Sequence, residues 1–84
     1  MARFRATVKV RRKGTVADPE GKTISEALAR LGYRAIEKVR TGKVFTVDLE
    51  ARDEAEARRI ITAVSTDVLS NPIIEVFEFD IEGL

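Results

Sequence analysis

The sequence predicts an α+β fold in which a β-α-β unit occurs twice. Apolar and polar residues alternate in three segments, and a period of two is typical of strands with one buried face. In two other segments, apolar residues recur every three or four positions, as they do on one face of a helix. Right-handed crossovers in both units make a two-layer split βαβ (ferredoxin-like) sandwich the simplest arrangement. We expect an antiparallel sheet of strand order 4-1-3-2, with both helices on one face.

The first strand is predicted over residues 3–11, where the alternation is almost unbroken. Its core face consists of Phe4, Ala6, Val8 and Val10. Its open face is polar and mostly basic, with Arg3, Arg5, Thr7, Lys9 and Arg11. The strand should end at Arg12-Lys13-Gly14, because a charged cluster with a glycine favours a loop.

The first helix follows a loop over residues 13–22 and has two start signals. Asp18-Pro19 is one of them, because Asp caps free N–H groups and Pro suits the first helical position. Thr23-Ile24-Ser25-Glu26 fits a capping box, so both starts stay open. The apolar stripe of this helix is Ile24, Ala27, Leu28 and Leu31. Gly32 suits the position after the helix, which often needs a positive φ.

The second and third strands are predicted over residues 34–40 and 43–50, joined by a tight turn with Thr41-Gly42 at its tip. The 34–40 segment is short and strongly charged, which favours the edge of a sheet. The core face of the third strand is Phe45, Val47 and Leu49.

The second helix is predicted from Asp53 to Leu69, and the last strand over residues 73–82. Asp53 and Glu56 form a pair that resembles a capping box. The helix should stop at Ser70-Asn71-Pro72, because Pro cannot continue a helix. Its apolar stripe is Ala57, Ile60, Ile61, Val64 and Val68. The core face of the last strand is Phe77, Phe79 and Ile81.

The composition limits both the size and the chemistry of the protein. A chain of 84 residues suffices for one domain, residues 1–84, with a modest core. There is no Cys and no His, which removes thiolate chemistry, the usual general base and the commonest metal ligand. No signal-like segment and no membrane-spanning apolar run is present, so we expect a cytoplasmic protein without a membrane partner.

The charges are balanced in number but segregated along the chain. The 15 basic and 14 acidic residues give a net charge of +1, which argues against a nucleic-acid partner. Residues 1–14 contain six bases and no acid, whereas the last ten residues contain four acids and no base. The two sets would neutralise each other if the first and last strands were neighbours. The alternative is a basic docking surface for an acidic partner or a phosphate.

The candidate chemical sites are weak. Gly21-Lys22-Thr23 lies where a P-loop would, but Val16 occupies the position of the required first glycine. An anion beside Lys13 and Lys22 at the helix start is a lesser hypothesis, with plain helix capping as the alternative. A further five residues are acidic and close in sequence, but capping and solvation explain them without a catalytic or metal site: Asp48, Glu50, Asp53, Glu54 and Glu56.

Two interaction surfaces remain as predictions. Arg40-Thr41-Gly42-Lys43 is either a solvated turn or a basic finger that contacts a partner. The open sheet face, together with an edge strand, predicts a dimer interface. The residues of this predicted interface are Val44, Thr46, Ile74 and Val76.

The chain as a whole resembles PurS, the small-subunit family of bacterial and archaeal phosphoribosylformylglycinamidine synthase. The resemblance covers residues 3–82 and is carried by three segments in the same order and at matching spacing. These are Asp18-Pro19-Glu20-Gly21 leading into Ala27-Leu28, then Val39-Arg40-Thr41-Gly42-Lys43, then Leu69-Ser70-Asn71-Pro72-Ile73-Ile74-Glu75.

The resemblance implies a non-catalytic subunit of an ATP-dependent glutamine amidotransferase complex in purine biosynthesis. A glutaminase subunit (PurQ) would release ammonia, and a large synthetase subunit (PurL) would use ATP and Mg, while this chain would bind no cofactor and no metal. A homodimer, with a tetramer as the open alternative, would join these subunits and support ammonia transfer. The residues implied in partner binding are Asp18, Pro19, Gly21, Arg40, Thr41, Gly42 and Lys43.

Two other classes of protein share the predicted topology. An ACT-like regulatory module would bind an amino acid at a dimer interface near the first loop. An RNA-recognition domain would stack bases on aromatic residues, but the open face of the first strand has none. Its binding should also weaken steeply with salt.

Overall fold

The computed structural model describes the whole chain, Met1–Leu84. Its elements in order are β1 (Ala2–Arg12), α1 (Pro19–Arg30), β2 (Gly42–Ala51), α2 (Glu54–Val64), a π-helical turn (Ser65–Leu69) and β3 (Glu75–Gly83). The α+β class and the two helices are therefore confirmed. Neither helix is long and apolar enough to cross a membrane.

The three strands form one antiparallel sheet of order β2-β1-β3. The first strand therefore has the two neighbours that the sequence predicted for it. In the register, Thr7 lies opposite Thr46 on one side and Asp80 on the other. Arg5 faces Glu82, and Lys9 faces Glu78, so the basic first strand and the acidic last strand are paired as expected.

The predicted second strand is absent, and the order 4-1-3-2 is wrong for the single chain. Residues 34–40 form a turn and an irregular segment. Their charged side chains leave no continuous apolar face to bury. The N–H of Arg34 bonds within the turn to Gly32, and the N–H of the following Thr41 bonds to a side chain instead of a strand. The hairpin turn at Thr41-Gly42 is wrong for the same reason, because no strand precedes it.

The core lies between the sheet and α2. The central strand β1 contributes most of it, because β1 has a neighbour on both sides and α2 above it. One cluster contains Ala6, Val8, Val10 and Ile61. A second contains Phe4, Ala51 and Ala57. The core faces of β2 and β3 are only partly buried against these clusters.

Both helices begin where an aspartate caps them. Asp18 accepts a hydrogen bond from the N–H of Gly21, with Pro19 at the first helical position, so the earlier of the two predicted starts is used. Asp53 accepts from the N–H of Glu56 in the same way. At the end of α1, Gly32 has a φ of 91°, which a residue with a side chain rarely adopts.

The helix α1 does not cover the sheet, contrary to the expectation that both helices share one face. No residue of α1 belongs to either core cluster. The 11 residues of β1 span roughly 36 Å at 3.3 Å each, and the 12 residues of α1 about 18 Å at 1.5 Å each. Placed end to end, they account for the 53 Å length of the molecule. Residues 19–38, which we call the arm, therefore extend beyond the end of the sheet.

Candidate functional site

The base of the arm is held by one carboxylate. Asp18 accepts hydrogen bonds from the Gly21 N–H at 2.9 Å and from the Thr41 N–H at 2.6 Å. The Thr41 hydroxyl donates to the same carboxylate, with its oxygen 2.9 Å from both Asp18 oxygens. The Asp18 side chain is only 2% exposed. Asp18 and Thr41, which lie on either side of the arm and 23 residues apart, are thus joined at one point.

These hydrogen bonds lower the pKa of Asp18 to about 2, from an ordinary value of 3.8. The largest contribution comes from the N–H of Thr41, followed by the N–H of Gly21. Both donors favour the charged form of the carboxylate, and together they outweigh the cost of its desolvation. Asp18 is therefore an anion that holds the backbone, and it is a poor candidate for a proton donor or acceptor in catalysis.

Two arginines complete the base of the arm. The Arg40 Nη2 atom donates to the carbonyl oxygen of Lys13 at 3.0 Å and to that of Val16 at 2.8 Å. The Arg12 Nη1 atom donates to the carbonyl of Ala17 at 3.1 Å. Both guanidinium groups therefore stabilise the loop between β1 and α1, through the carbonyl groups of Lys13, Val16 and Ala17.

The start of the helix and the returning chain approach too closely for any side chain at position 21. A Cβ atom built on Gly21 would lie 2.4 Å from the carbonyl oxygen of Val39 and 3.1 Å from Asp18 Oδ2. Both neighbours belong to the base of the arm and are fixed there. Gly21 is therefore required by the close approach of residue 39, and not by a phosphate loop.

The structure brings the residues of the two predicted partner-binding segments together, but it gives them different environments. Asp18 and Gly21 are buried, and Thr41 is half-buried. The exposed members of the set are Pro19, Arg40, Gly42 and Lys43. Only these four are free to contact another molecule directly, whereas the buried three fix the shape of the base.

The predicted dimer-interface residues lie near the end of the sheet from which the arm extends. Val44 lies opposite Lys9, and Val76 lies opposite Arg11, on the face away from α2. Val44 is 65% exposed, and Val76 and Ile74 are exposed at 39% and 36%. Thr46, two residues along from Val44, is also exposed.

The acidic residues grouped in sequence do not converge on a site. Arg5 binds Asp48 with Nε 2.8 Å from Oδ1, and this hydrogen bond lowers the pKa of Asp48. The N–H of Arg52 lowers the pKa of Glu56. Glu54 is in an exposed ion pair with Arg58. No group of three acidic side chains is arranged to hold a metal ion.

Sequence reasoning identified the capping role of Asp18 but missed its contact with Thr41 and the role of Arg40. The contact crosses 23 residues and involves no apolar periodicity, so no local pattern could reveal it. The sequence carried only an indirect signal for the role of Arg40. A loop of six residues needs donors for its carbonyl groups, and an arginine elsewhere in the chain is able to supply them.

Comparison with known proteins yields one family. The family model for PurS, described as phosphoribosylformylglycinamidine (FGAM) synthase, matches residues 5–83. A curated relative, phosphoribosylformylglycinamidine synthase subunit PurS of Archaeoglobus fulgidus, is 43% identical over 72 residues, covering 86% of this chain and 90% of the relative. The match favours the predicted resemblance over the ACT-like and RNA-binding alternatives.

Solved structures agree with this result. The crystal structure of Methanocaldococcus jannaschii PurS, one of the subunits of formylglycinamide ribonucleotide amidotransferase, superposes with a TM-score of 0.85 at 30% identity. It covers 96% of this chain and 98% of that one. A chain of the PurLQS structure from Thermotoga maritima gives a TM-score of 0.84 at 28% identity, with both chains fully covered.

Proposed function

This chain belongs to the PurS family of phosphoribosylformylglycinamidine synthase, and we propose that it is the non-catalytic assembly subunit of that enzyme. The observation that carries the proposal is the arm, which extends from the sheet with an apolar stripe facing solvent. Such an element is unfavourable in an isolated chain and becomes favourable when it packs on another molecule.

The first partner in this proposal is a second copy of the chain. Ile24, Leu31 and Tyr33 on the arm are exposed at 38%, 74% and 59%. The core face of β2, at Phe45 and Val47, is only partly buried by the chain's own α2. In a homodimer, each arm would lie on the partner's sheet and complete the helix layer of the predicted two-layer sandwich. This exchange of arms between the two copies would remove from water both the apolar stripe of each arm and the partly buried core face of β2.

The open sheet face provides a second contact. We infer that Val44, Thr46, Ile74 and Val76 lie against another copy of the chain, either within the dimer or between two dimers of a tetramer. Their exposed apolar groups, set among charged residues, are typical of a contact surface.

Within the complete enzyme, we propose that the dimer joins a large synthetase subunit to a glutaminase subunit and supports ammonia transfer between them. The likeness to a chain of PurLQS supports this proposal. ATP and Mg would be used by the synthetase subunit, and this chain would hold neither, in the cytoplasm where purine synthesis takes place. Partner contacts would come from the exposed Pro19, Arg40, Gly42 and Lys43, held in position by Asp18, Gly21 and Thr41.

Size-exclusion chromatography with light scattering tests the assembly. The chain alone should elute with at least twice its 9.4 kDa mass. Mixed with the purified synthetase and glutaminase subunits, glutamine and ADP-Mg, it should move into a larger complex that contains all three. A chain that never joins those subunits under these conditions would refute the assembly function.

Substitutions on the arm test the dimer. The double variant Ile24→Asp/Leu31→Asp places charges on the apolar stripe and should reduce the measured mass to that of one chain. Ala29→Asp lies on the exposed side of α1 and serves as the matched control. Equal masses for the two variants would show that the stripe is not the dimer contact.

A further inference from the structure

Three surface depressions meet at the base of the arm. Their volumes are about 550, 540 and 450 Å³, and Arg40 lines all of them. The first runs along the start of α1, the second crosses the open face of the sheet, and the third follows the loop after β1. Together they form one continuous area, which we call the basic surface.

The charge of this surface differs in sign from that of the rest of the chain. Eight of the 15 basic residues line the three depressions, but only three of the 14 acidic residues do. The basic surface therefore has a net charge of +5, while the remainder of the chain has a net charge of −4. Pairing of β1 with β3 neutralises this end only in part, because Lys9 faces Glu78 and Arg12 faces Glu75, whereas Arg11 faces Val76 instead of an acid.

Some of these charges are already used inside the molecule, and others are not. Arg40 and Arg12 bond loop carbonyls, and Arg12 also lies 3.9 Å from Asp18. The ammonium groups of Lys22, Lys38 and Lys43, in contrast, make no ion pair or hydrogen bond and are exposed. Lys22 and Lys38 line the first depression, and Lys43 lines the second.

The surface suits an acidic protein better than a nucleic acid or a small anion. The only aromatic residue that lines it is Phe77, which belongs to the core face of β3 and is stacked on Phe79. No ring is thus presented for base stacking. Lys43 lines a different depression from Lys22 and Lys38, so the three lysines do not line one pocket that a phosphate would fill. Val39, Val44 and Val76 lie between the charges, and this mixture fits a segment that carries both carboxylates and apolar side chains.

We propose that the basic surface binds an acidic, partly apolar segment of a partner protein, with Lys22, Lys38 and Lys43 as its contacts. The inference rests on the proposed function in that the partner belongs to the same enzyme complex. The lysines set the rate and salt dependence of association, because they attract the acidic segment before contact. The hydrogen bonds of Asp18 and Arg40 hold the two chain segments that carry these lysines.

The test compares two charge-reversal variants of the full-length chain. Lys38→Glu/Lys43→Glu changes the basic surface, and Arg3→Glu/Arg59→Glu makes the same change of charge at exposed residues outside both this surface and the arm. Binding of each to the immobilised synthetase subunit and to the glutaminase subunit is measured at about 50 and about 300 mM NaCl. Light scattering of each variant alone reports its oligomeric state.

The proposal predicts at least tenfold weaker binding of the lysine variant to one subunit, with less salt dependence, and less than about threefold change for the arginine variant. Equal effects of the two variants would overturn it, as would no effect of either. A lysine variant that loses only its self-association would show that the surface contacts another copy of the chain, which also overturns it.

Two further probes distinguish a failure of the proposed assembly function from a failure of the inference about the basic surface. If wild-type protein binds neither subunit, it is titrated with a labelled peptide of alternating Glu and Val and with single-stranded RNA. Binding of the peptide that depends on Lys38 and Lys43 would support the basic surface while refuting the assembly function. Preference for RNA, or binding of neither probe, would overturn the inference as well.

Discussion

Thr41 donates both its backbone N–H and its hydroxyl to the carboxylate of Asp18. This relationship joins the start of α1 to the start of β2, on either side of the arm. The carboxylate thus has two structural roles, capping a helix and anchoring the returning chain. Both roles depend on the negative charge of the carboxylate.

Asp18→Asn should destabilise the fold at neutral pH and change its pH dependence. The folded pKa of Asp18, about 2, lies below its ordinary value of 3.8. Its contribution to stability is therefore complete above about pH 4 and is lost as the pH falls through 2. Thermal unfolding from neutral pH to pH 2 should show a smaller acid-induced loss in the variant than in the wild type. Asp67→Asn, at an exposed residue, should retain the wild-type curve.

Gly21→Ala should be strongly destabilising, because its methyl group would overlap the carbonyl of Val39. Overpacking against backbone costs roughly 1–3 kcal/mol. The control is Gly14→Ala, since nothing lies within 4 Å of a Cβ atom there. That variant should stay within about 0.5 kcal/mol of the wild type in urea unfolding. Equal stabilities of the two variants would mean that the helix start and residue 39 are not in contact.

Ile61→Ala should cost about 2–5 kcal/mol of unfolding free energy, because it leaves a cavity in the main core cluster. The neighbouring Ile60 is 38% exposed, so Ile60→Ala should cost about 1 kcal/mol or less. Chemical denaturation at one fixed protein concentration measures both. A larger loss for Ile60 would show that α2 packs with a different face, for example against a partner chain.

Ser65→Ala should stabilise the protein by about 1 kcal/mol. The Ser65 hydroxyl is fully buried and has no hydrogen-bond partner, so its desolvation is not compensated. Ser70→Ala should have the opposite effect, because the Ser70 hydroxyl donates to the Ser65 carbonyl at 2.7 Å. If Ser65→Ala lowers the melting temperature instead, the hydroxyl has a partner outside the single chain.

Local patterns determined most elements of the fold. The alternation in residues 3–11, 43–50 and 73–82 is found in β1, β2 and β3, since a half-buried strand needs a period of two. Asp53 caps its helix as predicted, and Asp18 caps the other at the earlier of its two predicted starts, because a cap is made within three residues. The charge pattern of the first and last segments correctly indicated that β1 and β3 are neighbours.

The candidate site was predicted only in part. Asp18, Gly21, Arg40 and Thr41 were singled out together on the resemblance to PurS, but not the bonds that join them. The role of Arg40 as a donor to loop carbonyls depends on where a loop 24 to 27 residues away lies. Such contacts leave no periodic trace in the sequence.

Tertiary structure alone decided the position of the arm and the fate of residues 34–40. The apolar stripe of α1 is what a helix packed on its own sheet would have, so the sequence predicted that packing. The Asp18–Thr41 contact and the close approach of residues 21 and 39 instead hold both ends of the arm at the end of the sheet. A periodic pattern predicts that one face of a helix is buried, but it does not predict which surface covers that face. The hydrophobic effect is non-directional, so any apolar surface of suitable shape stabilises the helix equally well.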